Sequence, residues 1–320
     1  NDVQKLLKGY NLQGSFKDII AKVKSLKNER SKNRVKGFFK ILQKLCRESK
    51  PDQVVICWDG AGGSQKRRTI SKSYKEGRKP IRLNRTDRIL TENQETENKI
   101  WQQQRLIEYL NETPVIQMMV DGVEADDLIS LAVQDPTYKG WHKIIVSSDK
   151  DFYQLCDDET VVHRPIQKQV KNKPRIIEEF GIHPRNFALA RAIAGDKSDN
   201  LPGVGGVGLA TIAKRIPFLI EDRDVTVSEV VGFCEGVENQ LKVHTAITDN
   251  EELIKMNYSI MQLYSPLMSV QDRNKIRYAL ENFQFMFNKT EVEKMMIIDG
   301  FGAGNWSELY STFRRICVDN

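Results

Sequence analysis

The first 180 residues alternate short apolar runs with longer amphipathic segments. The apolar runs are rich in β-branched residues and lead into acidic residues; they occupy positions 53–58, 113–120 and 143–148. Such runs are typical of strands that are buried on both faces of a parallel sheet. Segments with helical periodicity include residues 35–46, 100–111 and 125–133. This alternation predicts an α/β fold with a mostly parallel sheet flanked by helices.

After about residue 175 the pattern changes to helices and turns. Helices are predicted at residues 184–194 and 209–216, with a glycine-rich turn between them. The sequence has no internal repeat of solenoid length. We therefore predict an α/β core over residues 1–180 and a helical region over residues 181–320.

Basic residues are concentrated in two stretches. The formal net charge is +6, and residues 66–88 contain ten Lys or Arg against two acidic residues. A second basic stretch spans residues 22–44. A solvated helix face would explain either stretch alone. Together with acidic motifs elsewhere, they favour an enzyme that binds a polyanion broadly and places cations at one point on it.

The rest of the composition excludes several classes of protein. The cysteines at positions 46, 57, 156, 234 and 317 form no CxxC or Cys/His pattern, which is typical of a reducing cytosol and argues against a zinc site. No apolar run reaches the length of a membrane span, and no signal peptide opens the chain. We expect a cytoplasmic protein that does not bind membranes. Because the sequence starts with Asn1, we interpret its N-terminus as processed or incompletely represented.

Acidic residues follow each of the three predicted strands. Asp59, Glu124 and Asp149 lie at or just beyond strand ends. In parallel α/β sheets these ends share one edge, where ligands bind. A single Asp after a strand is most often a helix cap or turn residue. Three acids at one edge favour a shared binding site.

Short motifs increase the number of acids at this edge. Glu124 and Asp127 share a face of a predicted helix start, and Asp126 lies on an adjacent face. Residues 149–151 form an Asp-x-Asp pair, and a later turn adds two more acids. The candidate metal ligands are Asp59, Glu124, Asp126, Asp127, Asp149, Asp151, Asp196 and Asp199.

The size of this acidic group itself indicates metal ions, because adjacent carboxylates repel one another unless cations neutralise them. Two Mg²⁺ or Mn²⁺ ions about 4 Å apart would also support attack of water on a phosphodiester. Haloacid-dehalogenase-type phosphatases use an Asp-x-Asp pair too, but on the first strand of their fold. The four histidines are isolated, and no Ser or Cys constellation competes, so metal-activated water is the simplest nucleophile.

The glycine-rich turn fits two different motifs. The GxGxxG dinucleotide fingerprint is matched by Gly203, Gly205 and Gly208, and a fourth glycine, Gly206, stands at one of its variable positions. That fingerprint follows a strand, whereas the residues before this turn have a helical pattern. A helix–hairpin–helix turn over residues 195–216 explains the pattern better, because its backbone N–H groups can grip a phosphate without reading bases. Lys214 and Arg215 are predicted to add phosphate contacts.

Several segments together resemble a known family. The chain contains, in this order, VVICWDG, YKEGRKP, DGVEADD, IIVSSDKDFYQL and AIAGDKSDNLPGVGGVGLATIAKR. Over about residues 5–216 it resembles the flap endonuclease/5′→3′ exonuclease family, which includes polymerase-associated bacterial 5′ nucleases and phage RNase H-type members. The tail at residues 257–316 is more similar to the phage branch.

The resemblance implies a PIN-like core, a helical arch at about residues 60–100, and a helix–three-turn–helix motif that binds duplex DNA and often a K⁺ ion. It implies that the acids named above form the metal site. Lys75 and Arg78 match arch residues that contact the scissile phosphate, and Arg68 is a further candidate. The implied partners are branched or flapped DNA, RNA/DNA hybrids, and a replication clamp or single-strand-binding protein. A monomer is the default expectation, in the host cytoplasm if the chain is phage-encoded.

Lys8 departs from the family pattern. The family begins with a strand that ends in an Asp whose carboxylate bridges the metals, and Lys8 occupies that position here. It precedes Asp59 by 51 residues, as the family spacing leads us to expect. An ammonium there would repel Mg²⁺. We therefore expect an impaired nuclease, unless Lys8 is an ordinary surface residue of a helix near the N-terminus.

Functions of different classes remain open on the sequence. The first is a structure-specific 5′ nuclease that cuts flaps or removes RNA primers in DNA replication and repair. The second is a non-catalytic protein of the same fold that binds branched DNA, which Lys8 would favour. A PIN-type ribonuclease would explain the acids, but neither the glycine turn nor the basic stretch after Asp59.

Overall fold

A computed structural model describes residues 29–77, 92–301 and 304–320. The first half alternates helices and strands: α1 (Glu29–Ser49), β1 (Val54–Trp58), α2 (Gln65–Ile70), α3 (Glu92–Asn111), β2 (Val115–Met119), α4 (Ala125–Gln134), β3 (Lys143–Val146), β4 (Thr160–Arg164) and β5 (Gln169–Lys171). The second half is helical: α5 (Lys173–Phe180), α6 (Pro184–Ala194), α7 (Leu209–Arg215), α8 (Val227–Gly236), α9 (Lys242–Thr248), α10 (Glu251–Met261), α11 (Val270–Glu281), α12 (Lys289–Ile298) and α13 (Ser307–Asp319). None of the helices described has the length and apolar character needed to cross a membrane.

The strands form two small sheets among the described residues. One contains β1 and β2, and the other has the order β3-β4-β5. Strand β3 pairs with β4 in parallel, with Lys143 opposite Thr160, and β4 pairs with β5 antiparallel. The three predicted strands are confirmed, but β4 and β5 were not predicted. The three residues of β5, Gln169–Lys171, are too few and too polar for a periodic signal.

The chain divides into two compact units, neither of which is a continuous stretch. The first unit contains Asn1–Val55, Pro80–Ile116 and Gln284–Asn320, and the second contains Ile56–Lys79 and Gln117–Phe283. Residues on both sides of position 180 belong to the core of the second unit, including Phe152 and Phe187. The boundary predicted near residue 180 therefore does not coincide with this division, and it stays a prediction about domains.

Helices from both ends of the chain build the first unit around aromatic rings. Phe39 of α1 contacts Tyr109 of α3 at 5.3 Å between ring centroids, and Tyr109 stacks on Phe301 at 5.5 Å. The Tyr109 hydroxyl donates to Asp299 Oδ2 at 2.8 Å, and Arg105 Nε donates to the same oxygen at 2.7 Å. Burial of each large ring contributes about 1.5–3 kcal/mol, and the paired Asp299 avoids an unsatisfied buried charge.

A single hydrophobic core holds the second unit together. The strand residue Ile145 packs with Phe152 and Tyr153, which belong to the single-turn 3₁₀-helix Asp151–Leu155. The same core includes Ile193 of α6 and Ile254 of α10. Because Phe152 is next to Asp151 and Ile193 precedes Asp196 by three residues, both acids are attached to segments anchored in this core.

Candidate active site

The end of β1 is joined to the start of α4, as the acid motifs predict. Asp59 Oδ1 accepts a hydrogen bond from the Ala125 N–H at 2.9 Å. The Gly60 N–H donates to the Val123 carbonyl at 3.0 Å. A Cβ on Gly60 would lie 1.7 Å from the Val120 carbonyl oxygen, so only glycine fits after Asp59. Two of the predicted acidic motifs, at Asp59 and at residues 124–127, therefore meet.

Arg67 binds two of the predicted metal ligands, and we call Arg67, Glu124 and Asp127 the Arg67 cluster. Arg67 Nη1 donates to Glu124 Oε2 at 2.7 Å and to Asp127 Oδ2 at 2.6 Å, while Nη2 donates to Asp127 Oδ1 at 3.0 Å. The three residues are only 3%, 5% and 1% exposed, respectively. A buried guanidinium thus hydrogen-bonds both carboxylates and offsets one of their two negative charges.

The Arg67 cluster also binds the end of α10 and the segment that follows it. Arg67 Nε donates to the Ile260 carbonyl at 2.9 Å, and the Leu267 N–H donates to Asp127 Oδ1 at 3.1 Å. Sequence reasoning missed Arg67 and selected Arg68, whose side chain is exposed. Nothing in a run of consecutive basic residues indicates which one is buried.

Lys75 reaches the acidic region from the turn after α2. Its Nζ lies 2.5 Å from Glu124 Oε1, and the neighbouring Tyr74 hydroxyl donates to Glu124 Oε2 at 3.2 Å. Burial, reinforced by the Glu124 carboxylate, raises the pKa of Tyr74. Lys75 has a positive φ of 53°, which the surrounding contacts must stabilise. The other predicted arch residue, Arg78, lies outside the described residues, as does Lys8.

The turn that carries Lys75 is tied to a second acidic turn. The Lys75 N–H donates to the Asp199 carbonyl at 2.9 Å, and Asn200 Nδ2 donates to the Ser73 carbonyl at 3.0 Å. The segment around Lys75 and the predicted Asp196–Asp199 motif therefore have a fixed relative position, although about 120 residues separate them in sequence.

Three other predicted ligands converge, and we call Asp151, Asp196 and Asp199 the Asp151 cluster. One carboxylate oxygen from each lies within 4.8 Å of the others. Arg191 of α6 bridges two of them: its Nη2 donates to Asp151 Oδ1 at 2.8 Å and to Asp196 Oδ2 at 2.5 Å. Sequence reasoning did not select Arg191. It precedes Asp196 by five residues, and no local pattern shows that the two side chains meet.

Burial, reinforced by neighbouring carboxylates, raises the pKa values of two of the acids. Burial raises the pKa of Asp151 to about 7 against the opposing charge of Arg191, and the carboxylates of Asp149, Asp196 and Asp199 raise it further. Burial also raises the pKa of Asp126 to about 7; Lys75 opposes this shift, and Asp149 and Glu124 add to it. The charge of Asp149 raises the pKa of both Asp126 and Asp151, so Asp149 is close enough to interact with both carboxylates.

The pKa of Asp196 is shifted in the opposite direction. Burial would raise the pKa of its carboxyl, but hydrogen bonds from the Ser198 side chain and backbone, together with Arg191, lower it overall. Both Ser198 donors lie 2.7 Å from Asp196 Oδ1. Asp196 therefore stays ionised while its neighbour Asp151 has a raised pKa, which is typical of a site that concentrates negative charge.

The glycine turn joins α6 to α7, as predicted for a helix–hairpin–helix. Val204 and Val207 are buried in the core of the second unit, whereas Gly205, Gly206 and Gly208 are exposed. A Cβ on Gly203 would lie 2.1 Å from the Ala194 carbonyl oxygen. The turn thus presents backbone outward while its valines anchor it. On α7, Lys214 is exposed and Arg215 is partly exposed.

Comparison with known proteins decides the family. Residues 15–181 match the model of the 5′-3′ exonuclease, N-terminal resolvase-like domain. The chain belongs to the 5′-3′ exonuclease family. A 5′-3′ exonuclease of Aquifex aeolicus is 26% identical over 277 residues, which cover 82% of this chain and 86% of that protein. DNA polymerase I of Thermus aquaticus is 31% identical over 183 residues, which cover 57% of this chain and 20% of the polymerase.

The length of the match differs between relatives of this 5′-3′ exonuclease family member. A 5′-3′ exonuclease of Buchnera aphidicola is 30% identical over 176 residues, covering 55% of this chain and 56% of that protein. The chain therefore spans most of the first relative, about half of the Buchnera protein and a fifth of the polymerase.

Solved structures show the fold of this family member. Phage T5 5′-exonuclease with bound zinc ions has a TM-score of 0.59 at 17% identity, over 83% of this chain and 90% of that one. A phage T5 flap endonuclease in a complex with DNA and metal ions has a TM-score of 0.61 at 18% identity, over 87% of this chain and 94% of that one. The predicted PIN-like α/β fold with added helices is confirmed.

Proposed function

We propose that this member of the 5′-3′ exonuclease family is a structure-specific 5′ nuclease that hydrolyses phosphodiesters in branched or flapped DNA with divalent metal ions. The observation that carries the proposal is the approach of the Asp151, Asp196 and Asp199 carboxylates to within 4.8 Å of one another. Oxygen donors of this kind suit Mg²⁺ or Mn²⁺. The metal-bound T5 structures support the same chemistry.

The acids divide into proposed ligands and one structural residue. The raised pKa values of Asp126 and Asp151 fit a site whose negative charge a divalent cation would relieve. We assign the Asp151 cluster and Asp149 to one ion. Three acids from the first two motifs are assigned to a second ion: Asp59, Glu124 and Asp126.

Asp127 is left out of this ligand set. Its Oδ2 accepts from Arg67, and its Oδ1 accepts from both Arg67 and Leu267. A metal ion could bind it only after these buried bonds were broken, which is costly. Glu124 is also paired, but the donor to its Oε1 is Lys75, whose side chain is 17% exposed and can be displaced more easily. We propose that Asp127 instead positions Arg67 and, through it, Glu124.

The remaining residues are proposed to position the substrate. Bound divalent ions would supply an activated water and neutralise charge on the reacting phosphate. Lys75 Nζ is bonded to Glu124, one of the proposed ligands, and from there it can contact a phosphate oxygen. Arg78 and Arg68 are proposed as further phosphate contacts from the family resemblance alone. Arg68 has the exposed side chain that this role needs.

The glycine turn is proposed to hold the duplex part of the substrate. Exposed Gly205, Gly206 and Gly208 allow close approach of a phosphate, and Lys214 and Arg215 add positive charge. The Gly205→Asp variant tests this, because a Cβ at Gly205 meets nothing within 4 Å and the fold should be unaffected. We expect it to weaken DNA binding about tenfold through charge repulsion. The control is Gly232→Asp on α8, where a Cβ also meets nothing within 4 Å.

Cleavage of a labelled 5′-flap substrate, with and without Mg²⁺, tests the proposed activity. The chain as it stands is expected to bind the flap and cut it slowly, because Lys8 would repel a metal ion. The Lys8→Asp variant is expected to cut faster. Rapid cleavage by the unmodified chain would contradict the proposed role of Lys8. No cleavage by either protein would contradict the nuclease proposal itself.

A non-catalytic binder of branched DNA is the second candidate, and Lys8 is the observation that favours it. It predicts flap binding without cleavage even after Lys8→Asp. Primer removal in replication, a clamp or single-strand-binding partner, a K⁺ ion at the glycine turn, a monomeric state and a cytoplasmic location all remain proposals from the family resemblance.

A further inference from the structure

Arg191 is bound to the Asp151 cluster in a way that differs from an ordinary structural arginine. A single nitrogen, Nη2, donates to both Asp151 Oδ1 and Asp196 Oδ2, at 2.8 and 2.5 Å. Its Nε is buried and has no hydrogen-bond partner among the described residues. A guanidinium offers five N–H donors in a planar fork, and this one does not use the fork for a bidentate bond.

Arg67 provides the internal comparison. It makes a bidentate bond to Asp127, reaches Glu124 with Nη1 and donates Nε to a backbone carbonyl. That pairing is buried and well satisfied, so breaking it would be costly. The side chains of Asp151 and Asp196 are more exposed, at 19% and 13%. The contacts of Arg191 are therefore the easier ones to replace.

We propose that Arg191 is an exchangeable counter-ion: it holds Asp151 and Asp196 together in the metal-free protein and releases at least one of them when a divalent ion binds. The inference rests on the metal site proposed above. Arg191 is then a positioning residue, because it prepares the carboxylates without contacting the reacting atoms.

The charges and the backbone both support this exchange. Arginine keeps its positive charge at all relevant pH values, so it competes directly with a metal cation for the same two carboxylates. Its backbone is fixed in α6, where the Arg191 carbonyl accepts from Gly195 N at 2.8 Å. Its long side chain can change rotamer without moving the helix. Exchange therefore requires motion of one side chain only.

Mn²⁺ binding, followed by titration calorimetry without DNA, tests the exchange. We expect Arg191→Gln to bind Mn²⁺ about tenfold more tightly than the unmodified chain, because the competing charge is gone. Arg191→Lys should be intermediate, since it keeps the charge but not the planar head group. The matched control is Arg185→Gln on the same helix, whose exposed partners are Asp222 and Asp224. It should leave Mn²⁺ affinity unchanged.

Melting temperature gives a second readout. In EDTA, Arg191→Gln should melt at a lower temperature than the unmodified chain, because Asp151 and Asp196 lose their counter-ion. Saturating Mn²⁺ should remove most of that difference, since the ion then neutralises both carboxylates. A loss of melting temperature that persists in Mn²⁺ would indicate a purely structural arginine and overturn the proposal.

The outcomes separate this inference from the proposed function. If the unmodified chain binds Mn²⁺ and Arg191→Gln binds it equally or more weakly, the exchange is wrong and the metal site stands. If neither protein binds Mn²⁺, the metal site is wrong and the exchange falls with it. Arg191→Lys keeps the test decisive should the Gln variant fail to fold.

Discussion

The Arg67 cluster and the Asp151 cluster contain the same kinds of residue but use them differently. In the first, the arginine is bidentate and Asp127 is only 1% exposed. In the second, Arg191 bridges two carboxylates through one nitrogen, and Asp151 has a pKa raised to about 7, chiefly by burial. The first cluster has one guanidinium for two carboxylates, with Lys75 as a second cation at Glu124, whereas the second has one guanidinium for three carboxylates.

The number of acidic residues in a sequence motif therefore does not identify which of them bind a metal ion. Asp127 and Asp151 stand in equally acidic motifs of the sequence. Only their partners distinguish them: a carboxylate whose two oxygens accept from buried donors stabilises the fold, while one that lies among other carboxylates can bind a cation. Substitutions in either cluster test this difference.

The largest expected effect is on the Arg67 cluster. Arg67→Met should lower the free energy of unfolding by about 3–5 kcal/mol, because the buried Asp127 carboxylate loses its counter-ion and keeps only the Leu267 N–H as a donor. Urea denaturation would measure the change. Arg68→Met is the control, since the adjacent side chain is exposed and its loss should cost little. Equal stability of the two variants would mean that the Arg67 pairing does not support the fold.

The Asp151 cluster should instead affect activity. In the Lys8→Asp background, replacing both Asp149 and Asp151 with Asn should slow flap cleavage by at least about 100-fold, as expected when charged groups are removed from a prearranged site. DNA affinity, measured by fluorescence anisotropy, should be nearly unchanged. Unchanged cleavage would refute the assignment of both residues to the metal site.

The pH dependence of stability distinguishes the clusters next. The folded pKa of Asp151 is about 7 against an ordinary value of 3.8, so the folded protein binds a proton in this range that the unfolded chain does not. Stability without metal should therefore rise as pH falls from 7 to 5. Relative to Asp151→Asn, the unmodified chain should gain on the order of 2 kcal/mol over that range. Parallel stability profiles for the two proteins would show that Asp151 is already ionised.

The smallest expected effect is that of Asp127 on metal binding. Asp127→Asn should change Mn²⁺ affinity by less than about twofold, because the proposed ligands remain, whereas Asp151→Asn should weaken it strongly. Calorimetry on both variants makes the comparison. A large loss of Mn²⁺ affinity in Asp127→Asn would return that residue to the ligand set.

Much of the fold could be predicted from the sequence, because local patterns determine it. The apolar runs around Val54, Val115 and Lys143 form strands where predicted, and the helix pair flanking the glycine turn is confirmed. Strand β4 was missed because it is partly polar, and β5 because it is also very short. The pairing of β4 with β3, and of β5 with β4, depends on contacts that no local window contains.

The acidic residues of the candidate site could be predicted from the sequence, but their arginine partners could not. Asp151, Asp196 and Asp199 could be found because acids after strands and in turns are conspicuous. Arg67 and Arg191 could not, because a basic residue in a sequence does not show which carboxylate it will meet. Those two side chains decide how each acidic cluster behaves, so the three-dimensional structure changes the chemical interpretation.

The contacts of the Arg67 cluster with the end of α10 and the segment after it also have a consequence for synthesis. Arg67 donates to the Ile260 carbonyl, and Asp127 accepts from the Leu267 N–H. Domains generally fold as units, with N-terminal parts emerging from the ribosome first. Here Asp127, in the N-terminal half, acquires its last hydrogen-bond donor only when Leu267 has been synthesised, so the Arg67 cluster is completed late. A fragment that stops at residue 181, where the family match ends, would lack that partner.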